Sequence, residues 1–184
     1  MSKGYYCLVA GLPDLVPEEK KLVFSSANFR DMMEDEMAPE DFELLKAFYL
    51  PFDHENLLNL FFDEEKEWDE RGNFSKEELE PLIDRKLVHT AEMSHFPPYL
   101  SDFVFAMHTE EASENRVKAS RRLSDDYYFW LDTSKNSFVR ELGKYLRDTS
   151  NVLTALNGRK FELSFEGALI GNDEWRRLGG VRVL

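Results

Sequence analysis

A short pattern occurs twice in this chain, each time in the same order. Asp53-x-x-Asn56-Leu57-Leu58 returns as Asp148-x-x-Asn151-Val152-Leu153, an offset of 95 at each matched position. Gly72-Asn73 followed by Leu79 returns as Gly171-Asn172 followed by Leu178, at an offset of 99, so the copies differ by four residues of loop. A repeated supersecondary unit constrains a fold more than any one residue, because each copy must bury the same apolar face. The pseudo-repeats are centred on residues 49–87 and 144–184.

Each copy reads as a helix start. Asp53 is placed to be an N-cap whose carboxylate accepts backbone N–H groups of the first turn, a position the helix dipole favours for an anion. Phe52 and Leu57 stand where a hydrophobic staple would place them. Leu57, Leu58, Phe61 and Phe62 then follow helical spacing. In the second copy Asp148 takes the cap position, and Val152, Leu153 and Leu156 are expected to face inward. Asn56 and Asn151 fall in the first turn, where a short amide can bond a neighbouring loop. The four polar residues are thus read as caps and ties within the fold.

Punctuation elsewhere predicts a mainly α chain. Residues 5–12 are apolar and read as either a short buried strand or a first helix, ended by Gly11-Leu12-Pro13-Asp14. Pro17-Glu18-Glu19, Ser26-Ala27-Asn28 and Pro39-Glu40-Asp41 each open a helix, and Pro51 is expected to stop the third. Ser75-x-x-Glu78 is a capping-box pattern ahead of Leu79 and Leu82. Pro97-Pro98 breaks the chain before an amphipathic helix over residues 99–108. Residues 110–122 are almost wholly polar and read as an exposed turn or projecting helix. The apolar pattern from Tyr127 through Phe138, Leu142, Tyr145 and Leu146 predicts one long helix leading to the second repeat. The sequence given ends before the second copy supplies an equivalent of Leu82–Leu87, the pattern expected either of a truncated chain or of a short family member. With 184 residues and no low-complexity linker, residues 1–184 read as a single helical domain.

The charge balance narrows function. A formal net charge of −13 argues against a phosphate-backbone binder, whose affinity rests on clustered Lys and Arg. It suits a protein that docks onto positively charged partner surfaces. The single cysteine excludes an internal disulfide and a Cys-rich zinc site, and fits a reducing cytoplasm. Cys7 lies in an apolar run and is read as core. No stretch is long and apolar enough for a signal peptide or membrane span, so a water-soluble protein is expected.

No catalytic constellation stands out. His54, His89, His95 and His108 lack metal-ligand spacing, and neither a Walker loop nor a nucleophile elbow is present. The sequence predicts no catalytic residue, no metal and no cofactor. Against the acidic background, Arg140, Lys144 and Arg147 recur at helical spacing and read as a docking stripe for an acidic partner.

These features resemble a known family. YYCLVAGLP at the start, the Asp-x-x-Asn-Leu-Leu helix and the following Gly-Asn-x-Ser-x-x-Glu-Leu are similar to the C subunit of V-type and A-type ATPases, called subunit d in eukaryotes. They are more closely similar to a bacterial family of uncharacterised proteins that accompanies V-type ATPase subunits. The matching positions are Asp53, Asn56, Leu58, Gly72 and Leu79, then Asp148, Asn151, Leu153, Gly171 and Leu178. The resemblance implies an all-helical bundle of pseudo-repeats between the central stalk and the membrane ring, transmitting torque in proton or sodium transport without doing chemistry. The C subunit is about twice as long and carries three repeats, whereas two are visible here. The implied partners are stalk and ring subunits, with neither nucleic acid nor membrane insertion, at the inner face of the cell membrane. Two other readings stand beside this one: a generic helical adaptor, and a small metal-dependent enzyme gathering Asp53, His54 and His89.

Overall fold

The computed structural model describes residues 4–13, 25–86, 88, 93–109 and 115–171. Among these, eight α-helices follow in order: α1 (Tyr6–Ala10), α2 (Ser26–Glu36), α3 (Pro39–Lys46), α4 (Leu50–Phe61), α5 (Lys76–Ile83), α6 (Pro98–Thr109), α7 (Arg116–Asp132) and α8 (Ser137–Lys160). A 3-10 turn at Glu166–Ala168 follows. The protein is mainly helical, and no described residue lies in a strand. The helix expected at Pro17 lies outside the described residues.

Local signals set most of these boundaries. Ser25 caps α2: its hydroxyl accepts from the Asn28 N–H at 3.1 Å, and the Asn28 side chain accepts from the Ser25 N–H at 3.2 Å. Pro39 opens α3 at a position whose N–H has no partner in a helix. Pro51 does not stop α3. That helix ends at Lys46, and Pro51 lies in the first turn of α4, where its missing N–H costs no helical bond.

The chain has two compact units, Met1–Asn56 with Glu67–Ser75, and Leu57–Lys66 with Lys76–Leu184. The first contains α1, α2, α3 and the beginning of α4. Among its described residues, Met33, Phe42, Ala47 and Leu50 are the buried apolar side chains. Residues 5–12 are not the buried strand that was one reading of them. Tyr6–Ala10 is a short helix with no buried residue, and Cys7 is exposed rather than in a core. The Tyr5 hydroxyl fastens this segment, donating to Asp41 Oδ2 at 2.5 Å and accepting from the Ala38 N–H at 3.1 Å.

The second unit holds the larger core. Leu57, Leu58, Leu79, Leu82, Leu100, Phe103, Leu123 and Leu131 are fully buried. Each such side chain contributes on the order of 1.5–3 kcal/mol relative to exposure. Phe61 meets Phe103 edge-on with centroids 6.3 Å apart, and Tyr99 of α6 packs on Trp130 of α7 at 5.4 Å. The long helix expected from Tyr127 onward is two helices. Residues 133–136 break it, and Asn136 restarts the chain as N-cap, its side chain accepting from the N–H groups of Phe138 and Val139. Gly143 lets α8 approach α7 closely, since a Cβ there would lie 3.0 Å from Leu131 Cβ.

Candidate functional site

Asn56 is buried in α4, so its side-chain amide must find partners for both donor and acceptor. It finds them on one residue. Oδ1 accepts from the Asp69 N–H at 3.0 Å and Nδ2 donates to the Asp69 carbonyl at 2.9 Å. The side chain thus brackets a backbone unit thirteen residues away as a neighbouring strand would.

Asp53 sits one turn earlier on the same face, fully buried. It is not an N-cap, because α4 begins at Leu50 and places Asp53 inside the first turn. Its carboxylate serves the same loop instead: Oδ1 accepts from the Phe74 N–H and Oδ2 from Asn73 Nδ2, each at 3.0 Å. Asn73 Nδ2 also donates to the Lys46 carbonyl at 3.1 Å. Gly72 passes so close that a Cβ would strike the Asp53 carboxylate. Arg30 of α2 holds the loop from outside, donating to the carbonyls of Arg71 at 2.9 Å and Gly72 at 2.6 Å. Arg71 lies over the Phe52 ring at 4.0 Å and pairs with Asp69.

Burial disfavours charge on both titratable residues here. It pushes Asp53 up from 3.8 to about 6, although hydrogen bonds from Asn73 and Phe74 and the charge of Arg30 pull the other way. It pushes the buried His54 down from 6.5 to about 3, so the imidazole is neutral near pH 7.

The second copy repeats the asparagine bracket. Asn151, buried in α8, accepts from the Ile170 N–H at 2.8 Å and donates to the Ile170 carbonyl at 2.9 Å. The separation is nineteen residues rather than thirteen. Beyond it, Gly171 adopts φ +67°, a conformation glycine tolerates without strain. Asn172 and Leu178 of the repeat lie outside the described residues.

The aspartates do not repeat. Asp148 is neither cap nor loop tie: α8 runs from Ser137 straight through it, and its carboxylate meets only the neighbouring Arg147 at 3.4 Å among the bonds described. The carboxylate that receives the loop is Asp125 of α7, which accepts from the Gly171 N–H at 2.9 Å. Val152, Leu153 and Leu156, expected inside, are more than half exposed. The long α8 turns Asn151 toward the core, and these residues therefore fall on other faces of the helix.

The basic stripe also divides. Arg147, 15% exposed, pairs with Asp132 of α7 at 2.9 Å and is drawn into the unit. Arg140 donates to the Ser134 carbonyl at 2.6 Å, bracing the turn that starts α8. Lys144 pairs with Glu141 at 3.2 Å in an exposed position. Among the described residues, no three His, Cys, Asp or Glu side chains are placed to hold a metal, and His89 is outside them. No described helix is long and apolar enough to cross a membrane.

Asp69, Ile170, Arg30 and Asp125 were not recognisable as partners from the sequence. The recurring Gly-Asn dipeptide was the one signal marking the loops. A family model described as "Protein of unknown function (DUF2764)" matches residues 1–176. The chain belongs to this family. No curated protein and no solved structure matches it. In this DUF2764 member, the two asparagines of the recurring pattern, Asn56 and Asn151, each bracket one backbone unit of the loop that follows their helix.

Proposed function

We propose that this DUF2764 protein is a non-catalytic subunit or accessory factor of a V-type or A-type ATPase, peripheral to the membrane on its cytoplasmic side. The carrying observation is the pair of brackets, Asn56 on Asp69 and Asn151 on Ile170. Helices joined to their following loops by one recurrent tie are what a pseudo-repeat architecture of the C-subunit kind would use. The buried polar groups Asn56 and Asn151 are taken up by backbone partners, and Asp53 by the Phe74 N–H and the Asn73 side chain, which suits a part that transmits force better than one that turns over substrate. The net charge of −13 supports docking by charge.

A second reading, a helical adaptor with a different partner, is favoured by the exposed apolar side chains of α8. The two are separated by capturing the tagged full chain from gently solubilised membranes at low and high salt. Recovery of ATPase stalk and ring subunits, lost at high salt, is the expected result. Recovery of other proteins without any ATPase subunit would overturn the ATPase reading and leave the adaptor.

A further inference from the structure

The carboxylate of Asp53 is fully buried, and residues 72–74 lie against both of its oxygens. Gly72 passes too close to leave room for a Cβ, Asn73 donates to Oδ2, and the Phe74 N–H donates to Oδ1. Both donors are uncharged. Two neutral hydrogen bonds fill about half of a carboxylate's lone-pair sites, so they replace only part of the hydration lost on burial.

The charged groups around Asp53 leave that deficit standing. Arg30 of α2 acts on it by charge alone among the bonds described, because its guanidinium donates to the carbonyls of Arg71 and Gly72. Lys46 of α3 turns its carbonyl to this loop while its ammonium pairs with Glu43 at 2.8 Å. Asp69 and Arg71 of the loop pair with each other at 2.6 Å. On α4 itself His54 is neutral and Glu55 is exposed. A protonated Asp53 needs far less hydration than the anion, so the seated loop and the bound proton favour each other. Burial raising the carboxyl to about 6 is the same linkage seen from the proton's side.

The loop is also seated imperfectly at this point. Asn73 Oδ1 is buried and has no hydrogen-bond partner, a deficit that contact with water would relieve. The Lys46 carbonyl, which Asn73 Nδ2 also reaches, keeps the Tyr49 N–H at 3.0 Å when that amide withdraws. Asp69 stays fixed, because Asn56 grips it by both ends and no titratable side chain enters that bracket.

We propose that residues 72–74 form a proton-linked cover over Asp53, seated while the carboxyl carries its proton and favoured to lift, on a hinge at Asp69, once it ionises. Lifting takes Arg71 off the face of Phe52, so a proton on one buried group governs the surface this loop presents. The cover does not depend on the ATPase reading.

Amide hydrogen exchange of the full chain, followed by nuclear magnetic resonance from pH 5 to 7.5, tests this. After correction for intrinsic exchange, protection of the Phe74 N–H should fall about tenfold over that range, for a carboxyl at 3.8 when open and about 6 when covered. Two other amides of the same unit should change by less than about twofold: Asp69 N–H, held by Asn56, and Phe42 N–H, bonded to the Ala38 carbonyl. Asp53→Asn should flatten the Phe74 profile. Phe74 protection that stays constant or rises with pH in the wild type overturns the proposal. So does a parallel fall at Phe74, Asp69 and Phe42, because the whole unit is then opening. A fall that persists in Asp53→Asn overturns it as well.

Discussion

Asn56 and Asp69 are joined twice, once through each end of the same side-chain amide, at 2.9 and 3.0 Å. Asn151 and Ile170 are joined in the same way at 2.8 and 2.9 Å. In both places an irregular loop gains a ladder rung from a helix side chain.

The brackets should therefore be costly to remove. Asn151→Ala strips partners from a buried N–H and a buried carbonyl, and about 2–3 kcal/mol of stability should be lost. Asn56→Ala should behave alike. Asp148→Ala, whose half-exposed carboxylate meets only Arg147 among the described residues, should change stability by less than about 0.5 kcal/mol. Urea unfolding of the three variants decides it. Equal losses at Asn151 and Asp148 would show that the bracket is not what holds the loop.

Gly72 and Asp53 should be coupled. Gly72→Ala forces a methyl group into the Asp53 carboxylate and should destabilise by about 1–3 kcal/mol. In an Asp53→Ala background the obstacle is gone and the same change should cost distinctly less. A double-mutant cycle measures the difference. Additive losses would mean that the loop avoids the clash by moving away.

Asp53 and His54 should tilt the pH dependence in opposite directions. Asp53 has its folded value raised to about 6 from 3.8, so the native state holds the proton more tightly. That contribution is fully present below 3.8 and is lost as pH rises through about 6, roughly 3 kcal/mol in all. His54 is lowered to about 3 from 6.5, so its contribution is present above 6.5 and is lost as pH falls toward about 3. Between 3.8 and about 6 the two slopes oppose each other: the unfolded chain keeps its proton on His54 and the native chain on Asp53. Asp53→Asn removes one slope, so this variant should lose stability on acidification from pH 6.5 to 4 more steeply than wild type. His54→Gln should lose it less steeply. Unfolding midpoints followed by circular dichroism at several pH values give the slopes, and parallel profiles for all three proteins would contradict this assignment.

Most helix starts were legible in the sequence because their causes are local. Ser25 with Asn28, Pro39 and the residues after Ser75 and Pro97 act within one turn of where they stand. Asn136 acts just as locally, yet the apolar rhythm from Tyr127 to Leu146 runs across the break and hides it. Asp53 was misplaced by four residues, since the cap position of α4 is Tyr49, for a similar reason: Pro51 looks like a stop, but it is tolerated in a first turn.

What the sequence by itself determined is the helical character of the chain and the recurrence of Asn56 as Asn151, both properties of spacing and composition. The tertiary structure alone decided what these residues hold. Asp69 and Ile170 stand thirteen and nineteen residues from their asparagines, and Asp125 replaces Asp148 because α8 continues through the second repeat. Caps and periodicity depend on neighbours within one or two turns. The partner of a buried amide depends on which loop the packed helices bring within 3 Å, and no local pattern encodes that.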